Sequence, residues 1–287
     1  MKVKKAVIPV AGLGTRMLPA TKVVPKEMLP LIDKPGIQYI VEEAVASGIE
    51  DILMITSRGK WTIEDHFDYA PEIEEKLKAA GKEDELAMIR SLANIANITF
   101  VRQKELKGLG HAIWCARRFT GDEPFAVLLG DDVMCAEIPV LKQLIDASDK
   151  FGASAVGVQY VGNEDIGKYC SLDVENIENN LYLVKSLIEK PEPEQVMSNF
   201  AILGRYVLTS GIYDVLGNLP PGYGGEIQLT DGLNKLCARE KMLAVEFSGK
   251  RYDTGNIKGY LEATIQFGLM HPEAGEWLRD YLKSLKL

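Results

Sequence analysis

The sequence predicts an α/β fold: a mostly parallel central sheet with helices on both faces and an added antiparallel lobe. Two observations carry this. Short, continuous apolar runs alternate with amphipathic stretches through the first half, as for strands buried on both faces and joined by helices. After about Val161 the texture changes to strand-like runs joined by a tight polar turn.

The elements follow in order. "AVIPVA" reads as a strand, "GIQYIVEEAVASG" as an amphipathic helix stopped at Gly48, and "DILMIT" as a second strand. A charged helical stretch covers 61–93, followed by the strand "ITFVRQ", the helix "GHAIWCARRF" and the strand "FAVLLG". A helix over 140–151 precedes "ASAVGVQYV". "YCSLDVE" and "LYLVKSLIEK" read as antiparallel strands around "NIENN", and "NFAILGRYVL" follows. Helix returns from Glu226, the strand "LAVEFS" intervenes, and helices over 257–270 and 276–285 close the chain. No repeat, low-complexity tract or linker interrupts 1–287, so one Rossmann-like domain is expected.

The net charge of −8 and pI of about 5.1 argue against a nucleic-acid face, which needs a basic stripe. A small anionic substrate needs only a few local cations. No apolar run is long enough to cross a bilayer. The opening "MKVKKAVIPVAG" sets basic residues before an apolar run, but Pro9 and a glycine turn interrupt it, so a first core strand is the better reading than a signal peptide. Cys115, Cys135, Cys170 and Cys237 are scattered without a C-x-x-C pair, as expected of reduced thiols in a cytoplasmic protein. The three dispersed histidines offer no histidine metal site.

"AVIPVAGLGTRMLPATKVVPKEMLP" places Arg16, Lys22 and Lys26 just after a glycine turn at a strand end. Ligands in open α/β sheets sit beyond the carboxyl ends of strands, and glycine leaves backbone N–H groups open to them. A plain turn would explain a lone G-x-G. A dinucleotide fingerprint fails, because Met17 stands at the third glycine position and Pro19 would disturb the helix. The third reading is a nucleoside triphosphate site: the turn meets the base and ribose, and the cations hold phosphates.

These residues resemble the N-terminal signature of the bacterial UTP–glucose-1-phosphate uridylyltransferases, sugar-nucleotide pyrophosphorylases of the nucleotidyltransferase group. The resemblance continues in order through "QKELKGLGHAI", "LLGDD", "IEKP", "GRYVLT", "GGEIQLTD" and "YDTGN". It implies a nucleotide-binding part over 1–160, a sugar-phosphate part over 161–256, and C-terminal helices over 257–287 that join a homodimer or homotetramer. It implies UTP and glucose 1-phosphate as substrates and Mg2+ as cofactor, with Asp131 and Asp253 as metal ligands. Ala11, Gly12, Gly14, Gln103, Gly108 and Asp132 fall to the nucleotide, with Gln103 meeting the uracil. Arg16 and Lys26 restrain the triphosphate, Glu189 takes sugar hydroxyls and Lys190 the sugar phosphate. His111 reads as structural. A thymidylyl relative, or a regulator without turnover, are the alternatives. One departure stands out: where the family commonly has Tyr-Gly beside the sugar, this chain has Tyr169 and Cys170, placing a Cβ where close approach is expected.

Overall fold

The computed structural model describes residues 1–285. In chain order the strands are β1 (Lys5–Pro9), β2 (Pro30–Leu31), β3 (Lys34–Pro35), β4 (Asp51–Thr56), β5 (Asn97–Arg102), β6 (Phe125–Leu128) and β7 (Asp132–Cys135). Then come β8 (Ser154–Tyr160), β9 (Cys170–Glu178), β10 (Leu181–Glu189), β11 (Phe200–Leu208), β12 (Met242–Glu246) and β13 (Lys250–Asp253). The helices are α1 (Gly36–Ala46), α2 (Trp61–His66), α3 (Pro71–Ala79), α4 (Glu83–Ala93), α5 (Leu109–Cys115) and α6 (Arg117–Thr120). They continue as α7 (Val140–Phe151), α8 (Gly211–Leu216), α9 (Leu229–Cys237), α10 (Ile257–Met270) and α11 (Gly275–Ser284).

One nine-stranded sheet has the order β5-β4-β1-β6-β11-β8-β12-β10-β9. β5, β4, β1 and β6 are parallel, as are β8 and β12; only β11 and β10 run against the rest. The period of two explains the apolar runs. In β1, Ala6 and Ile8 face one core cluster and Val7 the other; in β6, Ala126 and Leu128 face the first and Phe125 and Val127 the second. Helices α1 and α7 supply the first cluster, and α5, α8 and α9 the second.

The expected antiparallel pair is β9 and β10, and it extends the main sheet through β12. The stretch over 61–93 divides into three helices, because Pro71 starts a new one and Gly81 takes φ +70. Helix α8 has no counterpart among the expected elements. Helix α9 begins at Leu229, after a short 3-10 turn over Tyr223–Gly225. Among the described residues, no helix is long and apolar enough to cross a membrane.

Candidate active site

Parallel β1 and β6 end on the same side of the sheet, so Ala11–Gly12 and Gly130–Asp131 emerge together. Between them opens a cleft of about 570 Å³ lined by Ala11, Gly12, Lys26, Gln103, Gly108 and Asp131, with Leu109 and Glu226 among its other walls. Gly108 has φ +94, and a Cβ there would stand 2.7 Å from Glu226 Cβ, so glycine is required on both counts. Gly14 forms the turn behind the wall: it has φ +68, and its carbonyl accepts from Thr21 Oγ1 at 2.7 Å. Gln103 is buried, and its Nε2 donates to the Gly108 carbonyl at 3.1 Å and meets His111 Nδ1 at 2.9 Å.

The two candidate metal ligands lie 122 positions apart in sequence, yet β7 and β13 pair so that Asp253 stands opposite Asp132. The Thr254 N–H and Oγ1 both donate to the Asp131 carbonyl, at 2.8 and 2.9 Å. A Cβ on Gly255 would sit 2.5 Å from Asp131 Oδ2 and 3.0 Å from Asp253 Oδ1, so the two carboxylates converge on one bare stretch of backbone. Lys26 Nζ donates to Asp131 Oδ2 at 2.5 Å, and Arg16 reaches Asp131 and Asp253 at 3.6 Å each. Burial alone would raise the Asp131 carboxyl, but Lys26 and Arg16 outweigh it and hold the group below its ordinary range. Two hard carboxylates at one spot suit a divalent cation. Among the described residues, no group of three or more His, Cys, Asp or Glu could form a self-sufficient cage.

Asp132 carries a buried ion pair. It begins β7, is 2 % exposed, and pairs with Arg251 at 2.6 Å. Burial pushes its carboxyl up to about 6; Arg251 opposes the rise, while Asp131 and Asp253 add to it. The Asp132 carbonyl accepts from Arg205 Nη2 at 2.8 Å, and Arg205 in turn grips Glu43 at 2.6 to 3.1 Å. Neither arginine was among the expected site residues. Arg251 sits one residue from Tyr252-Asp253, a faint signal; Arg205 is hidden inside the apolar run "FAILGRYVL".

Where the resemblance expects the sugar, Glu189 ends β10 and Glu189 Oε2 accepts from Thr230 Oγ1 at 2.6 Å, a residue of the "GGEIQLTD" motif to which no role is assigned from sequence. Lys190 takes φ +45, rare for a side-chain-bearing residue, and its ammonium lies 4.6 Å from the Tyr223 ring centroid. It borders a second cavity of about 390 Å³ with Gly167, Pro191, Glu192 and Tyr223. The Tyr169 hydroxyl accepts from Arg251 Nη1 at 3.1 Å, linking this side to the carboxylates. Cys170 differs from the expectation. Its side chain lies in the hydrophobic core with Leu172 and Leu187, 5 % exposed, and burial pushes the thiol up to about 12. The thiol and its Cβ are therefore enclosed among apolar side chains on the β9 strand.

The nucleotidyl transferase family profile matches residues 5–267. The UTP–glucose-1-phosphate uridylyltransferase YngB of Bacillus subtilis (strain 168) is 53% identical over 284 residues, covering 99% of this chain and 96% of that one. The UTP–glucose-1-phosphate uridylyltransferase 1 of Staphylococcus saprophyticus is 51% identical, covering 99% of each. Among solved structures, a UTP-bound UDP-glucose pyrophosphorylase from Acinetobacter baumannii superposes with a TM-score of 0.93 at 37% identity, covering 99% of this chain and 100% of that one. A UDP-glucose pyrophosphorylase complexed with UDP-glucose gives 0.87 at 41% identity, covering 94% and 100%. The fold, the cleft and these matches agree: the chain belongs to the nucleotidyl transferase family.

Proposed function

We propose that the chain transfers the uridylyl group of UTP to α-D-glucose 1-phosphate, giving UDP-glucose and pyrophosphate. The observation that carries this reading is the meeting of Asp131, Asp253, Lys26 and Arg16 at one end of a cleft lined by Ala11, Gly12, Gln103 and Gly108. The substrates named for the relatives support the choice of UTP and the glucosyl acceptor.

The chemistry then divides among the residues. Ala11, Gly12, Gln103 and Gly108 take the base, and the turn at Gly14 carries the chain on to the cations. Lys26 and Arg16 hold the triphosphate; Arg16, loosely paired and 59 % exposed, is free to turn to phosphate oxygens. Lys190 holds the sugar phosphate, Glu189 accepts from sugar hydroxyls with Thr230 setting its orientation, and Tyr169 and the Cys170 main chain border the sugar. An ionised oxygen of the sugar phosphate forms a bond to the α-phosphorus while the bond to the β-bridging oxygen breaks, and its electron pair leaves with pyrophosphate. No general base is needed, because the attacking oxygen is already ionised at neutral pH. Asp131 and Asp253 would hold a magnesium ion, whose chemistry when bound is to neutralise and orient phosphate oxygens. Asp132, locked by Arg251, shapes the floor of the nucleotide site. Residues 1–160 serve the nucleotide and 161–256 the sugar phosphate. Helices α10 and α11 expose Leu261, Trp277 and Tyr281 and form the homodimer or homotetramer contact of a cytoplasmic enzyme.

Pyrophosphate release in magnesium, crossing UTP and dTTP with glucose 1-phosphate and galactose 1-phosphate, tests the reading. Release confined to UTP with glucose 1-phosphate is expected. A dTTP preference would move the chain to the thymidylyl branch, and silence in all four would end the transferase assignment.

A further inference from the structure

The base end of the cleft holds a polar arrangement with only one solution. Gln103 Nε2 lies 3.1 Å from the Gly108 carbonyl and 2.9 Å from His111 Nδ1. A carbonyl can only accept, so the amide group of Gln103, not its oxygen, must face Gly108. Its second N–H then points at His111 Nδ1, which must accept through its lone pair, leaving the imidazole proton on Nε2. Both N–H donors of the carboxamide are committed. Among the described residues, none bonds Gln103 Oε1 and only Thr62 Oγ1 is a buried side-chain polar atom without a partner, so Oε1 is open to the cleft that Gln103 lines.

We propose that His111 is a positioning residue that holds the Gln103 carboxamide oxygen toward the cleft, so that the site demands a base presenting a ring N–H and rejects cytosine. This rests on the uridylyl reading above. Uracil and thymine carry their sugar on N1 and present N3–H as the ring donor; cytosine presents a lone pair at N3. An acceptor oxygen bonds the first and repels the second, and reversing the carboxamide would reverse the preference. The surroundings keep His111 in this role. Its ring stacks on Trp114 with centroids 6.1 Å apart, and the Arg117 guanidinium lies 3.5 Å from the Trp114 ring centroid. Burial, with Lys107 and Arg117 adding to it and Glu105 opposing, lowers the His111 pKa and keeps Nδ1 free to accept.

The test compares UTP and CTP in the full-length enzyme with glucose 1-phosphate. His111→Leu should lower kcat/KM for UTP by about tenfold and raise the CTP:UTP ratio of kcat/KM by about tenfold, the scale of one buried hydrogen bond to an uncharged group. The loss is partial because the Gly108 tie remains. His111→Asn, whose Oδ1 can accept near the place of Nδ1, should restore the native ratio. A His111→Leu enzyme that loses UTP and CTP turnover equally, or a ratio that His111→Asn fails to restore, would overturn the proposal. Nitrogen-15 NMR of native His111 decides independently of any variant: a lone pair on Nδ1 is expected, and a protonated Nδ1 would sink it. Native enzyme silent with UTP would instead remove the uridylyl reading, while the NMR result would still report on the Gln103–His111 arrangement.

Discussion

The turn from Gly130 to Asp132 is held by two different sets of charges. Behind it, fully buried Arg205 binds Glu43 through Nε and Nη2 and also donates to the carbonyls of Asp132 and Gly204. In front, Arg16 is 59 % exposed and stands 3.6 Å from each of two carboxylates. The rear contacts have short, complete hydrogen-bond geometry, whereas the front contacts are open Coulombic pairings that solvent weakens. The contrast separates two tasks. A site that stabilises developing phosphate charge needs its carboxylates fixed before substrate arrives, and needs cations that can change partners when it does. Lys26 stands between the two regimes: burial works against its charge, but Asp131 and Glu27 outweigh that and raise its pKa.

Breaking the rear set should have the largest effect. Arg205→Ala leaves Glu43 without its guanidinium and should cost roughly 3–5 kcal/mol of unfolding free energy, read in urea melts. Combining Arg205→Met with Glu43→Leu should recover much of that loss, and a single variant as stable as the native protein would refute the rigid-support account. Next comes the carboxylate that Arg16 and Lys26 address. Asp131→Asn should lower the turnover of pyrophosphate release by about 100-fold. The deficit should widen when magnesium is limiting; near-normal activity there would remove Asp131 from the metal site. The smallest effect is expected at the front. Arg16→Ala should weaken UTP use by about tenfold while moving the melting temperature little, since an exposed pair contributes little to stability. A large stability loss in that variant would erase the distinction between the two sets.

Much of this organisation is legible along the chain, and the rest is hidden for identifiable reasons. "DILMIT" and "FAVLLG" announce strands because both faces of the sheet are covered, so their inner positions are apolar in succession. Ala11, Gly12, Lys26, Gln103, Gly108 and Asp131 were nameable from motifs, and all six line one cleft. The link between Asp131 and Asp253 comes only with the resemblance, because physically it depends on the β7–β13 pairing, which no local pattern encodes. Arg205 reads as one charge in an apolar strand, and its partner Glu43 is 162 residues away. Helix α8 is six residues long, too short for a 3.6-residue period to stand out. Cys170 is the case where a signal existed. It stands two positions from Leu172 on an edge strand, and that alternation turns both side chains to the same buried face.

The antiparallel strand at the middle of the sheet also sets an order of events during synthesis. β6 is buried along its whole length and has β1 on one side and β11 on the other, yet β11 leaves the ribosome more than seventy residues after it. Until Phe200–Leu208 emerges, the nascent N-terminal part carries an apolar strand with an open edge, the kind of surface that pairs with a neighbouring chain. The central ladder is therefore completed by a late, long-range closure, and this chain is most exposed to misassembly while its first half is already made.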